Sequence, residues 1–199
     1  MRFGEIIYEA GDDINTVYFP KIGLVSLLAT LDGESVLEVG VVSSEGLVGL
    51  SVFLGSTRSR NRALVQGEGS ALSMTTADLL KECQRSPQLS ESLREYAQKL
   101  LGQVSQSAIC YRFHNINKRL ARWLLTSADC MQSDKFRLTQ EFLSHMLGVR
   151  REAVNTAARR MQDDGVINYS RGRIALLDRP RLEAAACECY SIIKEDLGN

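Results

Sequence analysis

The sequence predicts an α+β chain in three parts: an N-terminal β-roll over residues 1–85, a long helix over 86–114, and a C-terminal winged helix-turn-helix over 115–199. Three observations predict it. Short β-prone runs punctuated by glycine fill the first third. One apolar stripe then runs from Leu89 to Tyr111 at helical spacing. Two short helical patterns, parted by Gly148, are followed at once by a hairpin pattern.

In the first part, residues 15–19 are β-prone and are followed by Pro20. Residues 24–30 and 35–42 read as strands and flank Asp32-Gly33, a strong hairpin signal. Gly46, Gly49, Gly55, Gly67 and Gly69 then recur between further strand patterns at 63–66 and 71–75. Short strands with frequent glycine turns suggest a sandwich or a barrel-like jelly roll. Thr75 and Asp78, three apart, would open a short helix reaching Cys83.

Ser86 is a good N-cap, and Pro87 fits the first turn of the helix that follows. Its stripe includes Leu93, Tyr96, Leu100, Val104, Ala108 and Tyr111. Such a stripe either packs on its own domain or pairs with a twin, and pairing as a coiled-coil-like dimer seam is the preferred expectation. His114-Asn115 marks a hinge. Residues 116–130 form another helix, with Leu120, Trp123, Leu124 and Ser127 toward a core, and 131–136 form a polar link.

Residues 140–157 say most about function. Leu143 and Leu147 share one face, and Gly148 suits the left-handed end of that helix. Ser144 is small where two helices would cross. Val154, Ala157, Ala158 and Met161 form the buried face of the second helix. Its other side carries Arg150, Arg151, Glu152, Asn155, Thr156 and Arg159. Arg pairs bidentately with guanine, Asn with adenine, and Glu accepts from cytosine. These residue types fit a major-groove reader, and the plainer alternative is a helical hairpin with a solvated charged face. Residues 166–169 and 173–177 then read as two strands joined by Ser170-Arg171-Gly172, a wing. Arg171 and Arg173 would reach phosphate or the minor groove, or stand in solvent.

Charge follows the same division. The chain carries 24 Lys/Arg and 24 Asp/Glu. Residues 1–111 hold 9 cations and 13 anions, residues 112–175 hold 12 and 6, and residues 176–199 hold 3 and 5. The positive excess therefore coincides with the helix-turn-helix, as a phosphate-binding surface requires. No run of eighteen apolar residues is present, so no membrane span is expected. The apolar stretch at the N-terminus is too short for a signal peptide, and a cytoplasmic location is expected. The two histidines, His114 and His145, both lie outside the roll, which excludes a His-based metal or nucleophilic site there and argues against an enzyme. None of the five cysteines has metal-finger spacing. Cys187 and Cys189, if on one helix, would point about 200° apart and would not share a metal. Free thiols are expected and no metal site, with a redox role for Cys83, Cys110 or Cys130 left open.

The order of parts, together with residues 138–154 (Leu-Thr-Gln-Glu-Phe-Leu-Ser-His-Met-Leu-Gly-Val-Arg-Arg-Glu-Ala-Val), resembles the Crp/Fnr-type transcription regulators over nearly the whole chain. The resemblance implies a cyclic-nucleotide-binding-like roll, with double-stranded DNA and a second copy of the chain as partners, and RNA polymerase as a further candidate. It implies that Thr139 touches phosphate and that Arg151 and Glu152 stand where the family's recognition helix carries its base-reading Arg-Glu pair. One turn on, Thr156 replaces the catabolite activator's second Arg, so the operator need not be the activator's. In the roll, the family's phosphate cassette has a Gly-Glu pair and then Arg-Ser or Arg-Thr before Ala. Here Glu45-Gly46 is reversed, and Asn61-Arg62 precedes Ala63. Arg58, Arg60 and Arg62 would attract a phosphate or form a solvated loop. The roll is therefore expected to be a degenerate sensor for an unidentified small ligand, using no cofactor and not binding cAMP in the usual way. The Fnr-type cysteine cluster is absent, which argues against an iron–sulfur sensor. The family also carries an N-terminal strand or helix not seen at the start of this sequence. The alternative function is a ligand-binding module whose C-terminal domain docks a protein partner.

Overall fold

The computed structural model describes residues 1–31 and 35–198; the expected turn at Asp32-Gly33 lies outside the described residues. The N-terminal part is an antiparallel sheet in the order β1-β4-β2-β3, made of β1 (Ile6–Tyr8), β2 (Thr16–Leu31), β3 (Ser35–Val42) and β4 (Arg62–Thr75). The roll is thus built from fewer and longer strands than the sequence pattern suggests. Residues 15–19 and 24–30 join in one strand that passes through Pro20. At Pro20 the strand pairs only with β4, so the missing N–H interrupts no second ladder.

Register shifts between Pro20 and Val25 bend β2. Gly69 belongs to this bend and not to a turn: a Cβ there would lie 1.8 Å from the Ile22 carbonyl oxygen. Only glycine lets the two backbones approach so closely. Val17, Val25, Val42, Leu47, Val48, Ala63 and Val65 fill the roll interior with Leu79. Leu50–Phe53 (α1) and Thr76–Arg85 (α2) close it, and Thr75 caps α2 by accepting from the Asp78 N–H.

Pro87–Phe113 (α3) begins as expected, with the Ser86 hydroxyl accepting from the Leu89 N–H at 3.2 Å. Its apolar stripe faces inward. Leu93 and Tyr96 are buried in the roll core, Leu100 packs on it, and the Tyr111 hydroxyl donates to the Glu38 carbonyl, with the Met146 carbonyl also near at 3.3 Å. Leu93 and Tyr96 are therefore taken up by the roll and are not free to form a seam with a twin helix, whereas Leu100 and Tyr111 are half-buried. Val104 is half-buried at the edge of that face and Ala108 is exposed. Away from this stripe, Leu101, Ile109 and Phe113 are exposed by 60%, 49% and 71%.

Ile116–Met131 (α4) is almost entirely buried. Gln140–Leu147 (α5) and Arg151–Asp163 (α6) pack on it, and Arg179–Ala185 (α7) and Cys189–Asp196 (α8) close the C-terminal part. The link expected at 131–136 contains the start of a strand: Lys135–Arg137 (β5) joins Ile167–Ser170 (β6) and Arg173–Leu176 (β7) in a sheet ordered β5-β7-β6. Leu120, Trp123, Leu124, Leu143, Leu147, Val154 and Ala157 share one core with Leu28 of the roll, so the two ends of the chain pack together. Cys187 and Cys189 do not lie on one continuous helix, because the chain is extended at Ala186 (ψ 165°) and α8 starts at Cys189. The helical geometry that would have set their thiols apart does not apply.

Candidate nucleic-acid interface

The helix-turn-helix forms from local signals. The Thr139 hydroxyl caps α5 by accepting from the Phe142 N–H at 3.1 Å. Gly148 ends α5 in the left-handed conformation (φ 58°), where glycine is free of the Cβ penalty. A Cβ there would also lie 2.6 Å from Leu37 Cδ1 of β3, so the turn is held against the roll. The last carbonyls of α5 are tied from two other helices. Arg119 of α4 donates to the Leu147 carbonyl, its guanidinium 4.6 Å over the Tyr111 ring, and Tyr111 of α3 reaches the Met146 carbonyl.

On α6, Val154, Ala157, Ala158 and Met161 are buried, as their spacing requires. Arg150, Arg151, Glu152, Thr156 and Arg159 are exposed on the other side. The Thr156 hydroxyl donates back to the Glu152 carbonyl at 2.9 Å, which holds it near the helix. Asn155 departs from expectation. It is half-buried, and its Oδ1 is buried without a hydrogen-bond partner. That acceptor is covered, so a bidentate adenine contact requires the side chain to turn outward.

The wing is a two-residue hairpin. Arg171 and Gly172 both have positive φ, 50° and 72°, the conformation that matches strand twist in a tight hairpin. The turn presents Arg171 at its tip, exposed. The Leu138 N–H donates to the Gly172 carbonyl at 2.9 Å, and the Tyr169 hydroxyl donates to the Leu138 carbonyl at 3.0 Å. The wing is thereby locked to the start of α5. A cleft of about 270 Å³ results, lined by Thr139, Gln140, Arg151, Tyr169, Arg171 and Gly172. Thr139, Arg151 and Arg171, from three separate parts of the domain, thus meet at one opening beside a helix N-terminus, a setting that favours anions. Gln140 and Tyr169 carry no sequence signal for this role, because only the wing's fold brings them there.

Arg173 is exposed on β7, directly opposite Arg137 on β5. Like charges facing across a ladder repel. Arg137 is eased by Glu68 at 3.5 Å and by the Phe3 ring at 5.0 Å. Two cations of the basic region are not on this surface at all: Arg119 and Arg122 are buried.

The candidate effector residues do not assemble. Glu45 accepts from the Ser43 N–H at 3.0 Å, and burial pushes its carboxyl up. Gly46 packs against Tyr96, whose ring would lie 2.4 Å from a Cβ at that position. Arg58 pairs with Asp13 at 3.2 Å, Arg62 pairs with Glu9 at 2.6 Å, and Arg60 is exposed. Neither group lines the 270 Å³ cleft or a larger one of about 560 Å³, which lies between the roll and the wing beside Gln66, Glu68, Lys135, Arg137 and Arg173.

Among the described residues no helix is long and apolar enough to cross a membrane. Residues 118–185 match the family of Crp-like helix-turn-helix domains, whereas no curated protein matches the chain. Several solved structures are similar over nearly its whole length. FixK2 from Bradyrhizobium japonicum superposes with a TM-score of 0.77 at 18% identity, covering 94% of each chain. A CRP-family transcriptional regulator from Thermus thermophilus gives 0.77 at 18% identity, covering 100% of this chain and 96% of that one. The c-di-GMP-responsive regulator CLP from Xanthomonas campestris gives 0.72 at 19% identity, covering 88% and 91%. Taken with the geometry of α5, α6 and the wing, these likenesses identify residues 118–185 as a Crp-like helix-turn-helix domain, carried on a chain with the Crp/Fnr fold.

Proposed function

We propose that this chain is a sequence-specific DNA-binding transcription regulator of the Crp/Fnr type that acts as a homodimer. The observation that carries the reading is the shared opening of Thr139, Arg151 and Arg171 beside the exposed side of α6. Arg151 and Glu152 lie at the N-terminal end of α6, the end that enters the major groove in this motif. Thr139 and Arg171 flank it, where they would contact the phosphates on either side. Arg150 and Arg159 add backbone contacts, and the facing Arg137 and Arg173 would be relieved by a polyanion.

A two-fold dimer places two such surfaces about 34 Å apart, one turn of the duplex. Away from the inward stripe of α3, Leu101, Ile109 and Phe113 offer a surface for the twin.

Regulation would pass through the contact between the roll and α4. Trp123 and Ser127 of α4 bond to Glu38 and Gln66 of the sheet. A signal favouring one packing of these elements shifts the population of DNA-competent dimers. The paired Arg58 and Arg62 and the packed Gly46 support a signal other than cAMP held in the usual way.

The test is selection of bound fragments from a random DNA pool by the full chain. A two-fold symmetric consensus with half-sites one turn apart supports the reading. Binding with no sequence preference, or binding that does not weaken steeply with salt, overturns it.

A further inference from the structure

We infer that Cys110, His114, Cys187 and Cys189 form a structural metal site of the zinc class, which clamps the end of α3 to the junction of α7 and α8. The inference is independent of the DNA-binding reading. The four ligand atoms all lie within 4.8 Å of one another. Cys110 Sγ stands 3.6 Å from Cys187 Sγ, and Cys189 Sγ stands 3.5 Å from His114 Nδ1. Around a tetrahedral zinc, with bonds of about 2.3 Å to sulfur and about 2.0 Å to nitrogen, ligand atoms are separated by roughly 3.5–3.8 Å. Small inward shifts of the side chains are enough to close such a shell. Three soft sulfurs and one imidazole select zinc over the oxygen-loving cations.

Two further features suit a metal. His114 turns Nδ1 toward the thiols and Nε2 toward the Glu188 carboxylate, at 3.3 Å. A carboxylate behind a ligating imidazole fixes its tautomer and raises its basicity. Gln106 Nε2 lies 3.1 Å from Cys189 Sγ and can donate to it. The second feature is charge. Three thiolates around a dication leave one net negative charge in a buried place. Arg119 and Arg122 are buried in the neighbouring helix, each with its Nε unpartnered. They place positive charge beside Cys110.

A disulfide between Cys110 and Cys187 is the rival. It uses two of the four groups and leaves the convergence of Cys189, His114 and Glu188 without a role.

The position explains why a clamp would matter. His114 ends α3 and Asn115 caps α4, so the site grips the corner between the long helix and the Crp-like domain. On coordination each thiol gives up its proton to solvent.

The test uses the full, untagged chain, reduced and freed of metal by a chelator, then titrated with Zn²⁺ and with Co²⁺. One metal per chain is expected. Co²⁺ should give the intense visible bands of a tetrahedral, thiolate-rich site, and Zn²⁺ should displace it and raise the melting temperature. Cys187→Ser and Cys189→Ser should each abolish those bands, while Cys83→Ser, outside the cluster, should keep them. Glu188→Gln should weaken Zn²⁺ binding about 10–100-fold without changing the stoichiometry. Substoichiometric uptake by the reduced chain, or unchanged Co²⁺ bands in Cys187→Ser, overturns the site. So does a Cys110–Cys187 disulfide in the isolated protein that takes up no metal after reduction.

Discussion

The Trp123 indole Nε1 donates to Glu38 Oε1 at 2.8 Å, joining the helix that starts the Crp-like domain to a strand of the roll. The other carboxylate oxygen of Glu38 lies 2.7 Å from Ser26 Oγ, which in turn lies 2.6 Å from Gln66 Oε1. A single hydroxyl has one proton to give. Both short contacts are satisfied when Glu38 is protonated: it donates to Ser26, Ser26 donates to Gln66, and Gln66 Nε2 donates to Ser127 Oγ at 2.7 Å. Burial pushes the Glu38 carboxyl up to about 7, against the opposing pull of Ser26, Arg122 and Trp123.

From this follows a pH dependence. The folded protein keeps a proton on Glu38 that the unfolded chain releases in the ordinary carboxylate range. The stability this group contributes is complete below that range and is lost as pH rises toward 7, by roughly 3 kcal/mol at most. Glu38→Gln keeps a neutral hydrogen-bonding group and should flatten that part of the profile. Urea denaturation of both proteins at pH 5 and pH 8 checks it; equal slopes with pH would contradict the protonated network.

Arg151→Ala should cost roughly 1–3 kcal/mol on the selected site and relax preference at one base pair. Competition binding against singly substituted sites reads this directly. A loss of the same size on every sequence would make Arg151 a phosphate contact.

Arg171→Ala should weaken binding to all sequences alike. Its slope of log affinity against log salt should become shallower by about 1. A slope identical to that of the parent chain would place the wing tip in solvent.

The two faces of α3 should respond differently. Phe113→Asp and Ile109→Asp place charge on the exposed side and should shift the chain from dimer to monomer in sedimentation. Leu100→Lys points a charge at the roll, where it has no partner, and should lower the melting temperature instead. Dimers that survive both aspartate variants would put the twin's contact on another surface.

Much of the helix-turn-helix was legible in the sequence because its signals are local. Thr139 caps what directly follows it, Gly148 ends α5 through its own φ, and Val154, Ala157 and Met161 share a face by helical period alone. The start of α3 at Ser86-Pro87 and that of α2 at Thr75 are equally short-range. Tertiary structure decided whatever depended on residues far apart in the chain. A stripe such as Leu93, Tyr96 and Leu100 has the same period whether it faces a twin or its own sheet; here the roll occupies it. Asp13 and Glu9, more than forty residues away, pair with Arg58 and Arg62, which no local signal announces. Cys110 and Cys187 stand 77 positions apart, and only the fold brings Cys187 and Cys189 to the end of α3. Hydrophobic periodicity records which side of an element avoids water, whereas the partner that covers it is set by long-range packing.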